Sequence, residues 1–159
     1  MTQPMQSKKN VLCVDLDGTL LHTDTMWELV AALLHHKPFF ILILPFWLLK
    51  GRPHLKHKLA QFATPQLVNS LPVNKALLKR IEEIKNEGHP LWLVTAADQH
   101  TADLVADRFK IFEAVIGSDG VNNLKGQKKA HALISLLGER NFDYAGDSKA
   151  LTFPLSDLK

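Results

Sequence analysis

The sequence predicts an α/β fold, a parallel sheet wound with helices and interrupted once by an inserted helical cap. Short apolar runs containing β-branched residues alternate with stretches whose apolar positions repeat at helical spacing, the pattern of strands buried on both faces. Each strand candidate ends in residues able to bind or turn: Asp15, Thr95, Gly117-Ser118-Asp119 and Asp147. In parallel sheets ligands bind at those carboxyl ends. The alternation then fails over residues 25–72, where helical stretches follow one another with no strand between them.

Taken in order, "VLCVD" (Val11 to Asp15) is the first strand, short and continuously apolar up to its carboxylate. The cap holds "WELVAALLHH", "PFFILILPFWLLKGR" and "HLKHKLAQFA". Its middle, Phe39 to Leu49, is apolar throughout except for a break at Pro45. That is too short to span a bilayer, which needs roughly 20 apolar residues. Two readings stand for it: a buried cap helix, or a surface that touches a membrane or membrane partner, with Lys50, Arg52, Lys56 and Lys58 as a basic rim. Next, "NKALLKRIEEIKNEG" places Leu77, Leu78, Ile81 and Ile84 at helical spacing and stops at Gly88. "LWLVT" (Leu91 to Thr95) is the second strand, "DQHTADLVADRF" a helix and "AVIG" (Ala114 to Gly117) the third strand. "QKKAHALISLLGER" is the last helix, and "FDYAGD" ends in a shorter strand candidate. The division is therefore 1–24 for the first part of the core, 25–72 for the cap and 73–159 for the second part.

The bulk properties narrow the function classes. Nineteen Lys+Arg against sixteen Asp+Glu give a net charge of +3, with the cations scattered, so nucleic acid is not an expected partner. One cysteine, Cys13, excludes an intramolecular disulfide and a multi-thiolate zinc site, and its place within the first strand suits a small core residue. The polar "MTQPMQSKKN" leads straight into that strand and does not read as a signal peptide, so the expected location is cytoplasmic, with membrane association if the apolar cap surface is used.

The chemistry is concentrated in "VLCVDLDGTLLHTD". Asp15 and Asp17 stand one leucine apart, an arrangement that costs free energy unless a cation lies between them or one carboxyl stays protonated. With Thr95 in "LVTAAD", a lysine in "NLKGQKKA" and Asp147 in "YAGDS", they fit metal-assisted phosphoryl transfer through a carboxylate. Asp15 is the expected nucleophile. Mg²⁺ is the expected cofactor, held by Asp15, the Asp17 backbone carbonyl and Asp147, since a hard cation takes oxygen ligands. Asp17 would protonate the leaving oxygen and then deprotonate water, work typically valued at about 10²–10⁴-fold in rate. Gly18 allows the sharp exit from the strand. Thr95, with the neighbouring Ala96 backbone, and Lys125 are the expected phosphate-binding groups.

These residues give the chain its resemblance to haloacid dehalogenase (HAD) superfamily phosphatases: "DLDGT" matches their first motif, Thr95 the second, Lys125 the third and Gly146-Asp147 the start of the fourth. More narrowly, "DLDGTLLHTDTMWE", "WLLKGRPHLKHKLA", "LVTAADQHTADLVADRF" and "SDGVNNLKGQKKAHALI" resemble the HAD domain fused ahead of UbiA-like membrane prenyltransferases. The resemblance implies a Rossmann-like core, Mg²⁺ dependence and phosphomonoester hydrolysis by Asp15 and Asp17. Its implied partners are a small-molecule or lipid-linked phosphomonoester and a membrane surface or membrane prenyltransferase. Lys128 and Lys129 compete for the lysine role, and Lys125 is preferred because its Lys-Gly pair matches related small phosphatases.

After "GDS" the pattern departs. Leu151 stands where a second acid is expected, and the final part of the core reads as truncated. A diverged stand-alone chain and a frame-changing deletion near Ala150-Leu151-Thr152-Phe153 both account for this. Loss of that acid would weaken the metal site. An alternative function follows: a weak or degenerate domain that binds a membrane prenyltransferase or its phosphorylated substrate without turnover. Among the histidines, His35, His36, His54 and His57 read as solvated, while His22 follows the catalytic loop closely enough to face substrate.

Overall fold

The computed structural model describes residues 9–146. Among these residues four strands form one sheet: β1 (Val11–Val14), β2 (Leu91–Asp98), β3 (Ala114–Ser118) and β4 (Phe142–Ala145). Their order is β3-β2-β1-β4 and every pair is parallel. β1 is central, with Val14 opposite Leu93 of β2 on one side and Ala145 of β4 on the other. Its burial on both faces explains why its sequence is apolar without alternation. β2 runs three residues past the predicted end at Thr95, through a register irregularity between Val94 and Asp98 that restores pairing at Ser118 of β3.

Helices cover both faces. In chain order they are α1 (Thr25–His36), a 3-10 helix (Pro38–Leu42), α2 (Leu44–Leu49), α3 (Arg52–Ala60), α4 (Pro65–Ser70), α5 (Lys75–Asn86), α6 (Gln99–Phe109) and α7 (Gln127–Leu137). Leu12 and Val14 face a core made with Leu91, Leu93, Ile81 and Ile84 of α5, and Ala102 and Val105 of α6. Val11 and Cys13, of opposite parity, face Val94, Phe142, Tyr144 and Leu133 of α7. Burial there pushes the Cys13 thiol up to about 12, which makes it the inert core residue its position predicts. The helix ends follow the expected chemistry. Asn74 caps α5 through its side chain on the Leu77 N–H (3.1 Å), and Gly88, at φ 89°, follows its C-terminus.

The helices between β1 and α5 have a small core of their own, built from Met26, Leu29, Leu33, Leu55, Leu59 and Ala63. Phe40 packs edge-on against Trp47 and Phe62, with ring centroids 5.8 and 5.5 Å apart. The apolar run Phe39 to Leu49 is not one helix. It breaks into the 3-10 helix and α2, and neither contains a buried residue. Of the two readings left open by the sequence, the buried helix is thus overturned: Phe40, Leu44 and Trp47 are only partly covered by so small a core, and the rest lie outside. Among the described residues no helix is long and apolar enough to cross a membrane.

Two adjacent residues of α3 join this helical segment to the end of β2. Lys56 Nζ donates to the Ala96 carbonyl (2.8 Å), and His57 Nδ1 meets the buried Asp98 carboxylate at 2.9 Å.

Candidate active site

Asp15 is the first residue beyond the central strand. Its N–H donates to the Ala145 carbonyl (2.8 Å), so the sheet ladder runs to the carboxylate itself. The loop that follows is fixed from below by Leu16, Leu20 and Leu21, all fully buried. Gly18, at φ 70°, makes the turn between them, a backbone conformation that costs glycine little. Asp17 is thereby carried to the start of α1, where its Oδ1 accepts from the Thr25 N–H (2.8 Å) while Asp24 accepts from Met26 N–H (2.9 Å). A carboxylate is favoured at a helix N-terminus. Burial nevertheless dominates and raises the Asp17 pKa; the Thr25 N–H opposes it, and the charge of Asp24 adds to it.

Asp15, Asp17 and Asp24 line a cavity of about 330 Å³ together with Lys56, Ala96, Lys125, Gly126 and Lys129. Asp15 Oδ1 accepts from its neighbour's Leu16 N–H and from Lys129 Nζ, both at 2.9 Å. Lys129 is almost wholly buried, and its ammonium also donates to the Val94 carbonyl (3.0 Å) and the Tyr144 hydroxyl (2.9 Å). Its three contacts tie the residue after β1, the middle of β2 and β4 together. Burial, then the charge of Asp15 and a hydrogen bond with it, push the Tyr144 pKa above its ordinary range. The phenol therefore stays protonated beside the carboxylate.

Of the sequence-predicted residues, Asp15, Asp17, Ala96 and Lys125 share the cavity. Lys125 lines it without an ion pair among the described residues; the lysine that contacts Asp15 is Lys129, the candidate passed over in its favour. Thr95 is fully buried, and its hydroxyl accepts from the Ala97 N–H (3.0 Å), which leaves Ala96 as the cavity-lining residue of that part of β2. Asp147 and Leu151 lie outside the described residues. Ser118 and Asp119 form a turn: Asp119 Oδ1 accepts from the Val121 and Asn122 N–H groups, and the buried Ser118 hydroxyl donates to the Ala96 carbonyl (3.1 Å). His22 is exposed and does not line the cavity. His57 is exposed, as read from the sequence, and its Nδ1 also meets the Asp98 carboxylate.

Sequence reasoning missed Lys56 and Tyr144. Lys56 was counted as surface charge, yet it reaches the cavity wall, where burial lowers its pKa against the raising influence of Asp17 and Asp24. Tyr144 shares a face with Cys13, and strand parity could have found it. The oxygen donors of Asp15 and Asp17 suit a hard cation in kind. Among the described residues, however, no group of three or more carboxylate, histidine or thiol side chains comes together as a metal cluster. Asp147, the third expected ligand, is outside them.

Comparison with known proteins gives three kinds of likeness. The family model for haloacid dehalogenase-like hydrolases matches residues 12–150. An uncharacterized protein of Sinorhizobium fredii, y4nM, is 38% identical over 144 residues, which are 90% of this chain and 27% of that protein. The chain thus spans about a quarter of the length of the curated relative it matches. Among solved structures, a substrate-bound phosphoserine phosphatase aligns with TM-score 0.56 at 12% identity, over 87% of this chain and 78% of that one. A protein of unknown function from Bordetella pertussis aligns with TM-score 0.63 at 14% identity, over 82% and 75%. A haloacid dehalogenase-like family hydrolase from Streptococcus pneumoniae aligns with TM-score 0.57 at 20% identity, over 89% and 77%. At these identities the structural likeness speaks for the fold.

Proposed function

Because the chain belongs to the haloacid dehalogenase-like hydrolase family, we propose that it is a phosphatase, hydrolysing phosphomonoesters through an aspartyl-phosphate on Asp15. One observation carries the reading: Asp15 at the end of the central strand, ion-paired to Lys129 at 2.9 Å, shares a cavity with Asp17, whose pKa is raised. The Asp15 carboxylate attacks phosphorus as the ester P–O bond breaks, and the departing oxygen takes a proton from Asp17. Burial favours the protonated form of Asp17 that this step requires, and with Oδ1 held by Thr25 the other oxygen is left to carry the proton. Ionised Asp17 then takes a proton from water as that water attacks phosphorus, releasing phosphate and restoring Asp15.

Lys129 fixes the orientation of the nucleophile, and Lys125 and Lys56 offer positive charge to the phosphoryl oxygens from two other walls. Mg²⁺ would be held by the Asp15 carboxylate, the Asp17 carbonyl and Asp147, and would supply neutralisation of charge on the transferring group. The helices of segment 25–72 act as a cap that closes one side of the cavity through Lys56. The substrate is a small-molecule or lipid-linked phosphomonoester. The lipid-linked form, with a membrane surface or membrane prenyltransferase as partner, is supported by the exposed apolar side chains of the 3-10 helix and α2.

The test is Mg²⁺-dependent release of p-nitrophenol from p-nitrophenyl phosphate by wild type and Asp15→Asn. Metal-dependent activity that vanishes in the variant supports the reading. A folded, inactive wild type overturns it and leaves the degenerate binding domain.

A further inference from the structure

The run Phe39 to Leu49 has two apolar faces. Phe40, Leu44 and Trp47, spaced as one side of a helix, pack on the small core of the segment. Phe39, Leu42, Phe46 and Leu49, spaced as the other side, are 82, 68, 67 and 83% exposed. A soluble surface seldom carries so many large apolar side chains together unless something covers them.

What surrounds the patch says what that is. Between residues 25 and 72 the chain has five Lys or Arg and one acid, Glu28, so this segment is more positive than the whole chain at +3. Lys50 and Arg52 are exposed and follow α2 directly, while Lys37, at the other end, holds its ammonium over the inner rings of Phe40 and Phe62. A second copy packed symmetrically on the patch would bring these cations against their own images, which like charges oppose. An anionic lipid surface offers apolar depth to the ring and leucine side chains and negative headgroups to the rim.

We propose that the outer face of the 3-10 helix and α2 docks on an anionic bilayer, with Phe39, Leu42, Phe46 and Leu49 in the interface and Lys50 and Arg52 among the headgroups. The docking deepens the lipid-linked reading of the substrate and rests on it for its purpose alone. It needs no turnover, so the two can fail separately.

Sedimentation of the full chain with phosphatidylcholine vesicles, with and without 30% phosphatidylglycerol, tests it. Binding is expected on the anionic vesicles and at least about tenfold weaker on the neutral ones. Phe46→Ser/Leu49→Ser should weaken it about tenfold or more. Lys50→Gln/Arg52→Gln should weaken it by roughly 25-fold on anionic vesicles alone, at about fivefold per charge. Asp15→Asn should bind like wild type, and the four surface substitutions should leave hydrolysis of soluble p-nitrophenyl phosphate unchanged. Three results overturn the proposal: no binding to anionic vesicles, binding that survives both double variants, or a dimer by light scattering that Phe46→Ser/Leu49→Ser dissociates.

Discussion

Replacing Lys129 by methionine keeps the aliphatic stem and removes the ammonium that three groups depend on. Asp15 Oδ1 at 2.9 Å, the Val94 carbonyl at 3.0 Å and the Tyr144 hydroxyl at 2.9 Å each lose this contact. The side chains of Lys129 and Asp15 are only 5 and 17% exposed, so solvent screens the pair weakly. Breaking a buried pair by removing one member costs about 3–5 kcal/mol, since the remaining charge is uncompensated. Because Asp15 opens on the cavity and recovers some hydration, the lower end, about 3 kcal/mol, is expected for Lys129→Met. Urea denaturation in EDTA measures it. A cycle with Asp15→Asn isolates the pair: the double variant should recover about 1–3 kcal/mol relative to the sum of the single losses. The rate constant should fall on the order of 10²–10³-fold, as when an electrostatic partner of a reacting group is lost. Lys125→Met, made alongside, should leave stability within about 0.5 kcal/mol, as at a surface site. If Lys129→Met costs under about 1 kcal/mol and retains activity while Lys125→Met abolishes it, the assignment of the lysine is refuted.

Three further outcomes follow from the same geometry. Asp17 has a raised folded pKa, so the stability it contributes is complete below the unfolded value of about 3.9 and is lost as pH rises through the folded one. Asp17→Asn should therefore be more stable than wild type at pH 7 in EDTA, with the gap closing toward pH 4, and a gap that widens on acidification would contradict this. Lys56→Met removes a cation from the cavity wall and should raise KM about tenfold with kcat changed less than about threefold; steady-state kinetics on one substrate decide it. At Gly117 a Cβ would lie 2.6 Å from the Gln99 Cα and 2.8 Å from its N, so Gly117→Ala should lower the urea midpoint by about 1–3 kcal/mol of stability at unchanged m.

The sheet and the place of Asp15 were legible because β1 is apolar on both faces and ends abruptly in a carboxylate. A strand covered on both sides, with its last residue opening on a site, produces that pattern directly. Which lysine pairs with Asp15 was not legible. Lys125 precedes Gly126, whose φ of 57° starts the turn into α7, whereas Lys129 sits in the first turn of that helix. Helical side chains lean back toward the N-terminus, which here aims Lys129 at the strand ends. Spacing alone does not carry that direction. Thr95 shows a similar limit: its position at the strand end was readable, but the irregularity in β2 that turns its hydroxyl onto Ala97 was not. Phe39 to Leu49 gave no contrast of polar against apolar positions, so periodicity had nothing from which to separate inside from outside.

Asp15, directly after β1, and its partner Lys129 on α7 form one side of the cavity, while the cation on another wall, Lys56, belongs to α3. Lys56 and its neighbour His57 are also the residues that tie α3 to β2. On the phosphatase reading proposed above, bond-breaking and ligand choice thus draw on separate stretches of the chain. Under the proposed reading, sequence change in residues 25–72 would retune which phosphoester is accepted while leaving Asp15 and Lys129 in place, provided these two neighbouring ties and the Thr25 N–H on Asp17 survive. A lineage could exchange the helical segment, keep the sheet and acquire a new substrate at little catalytic risk.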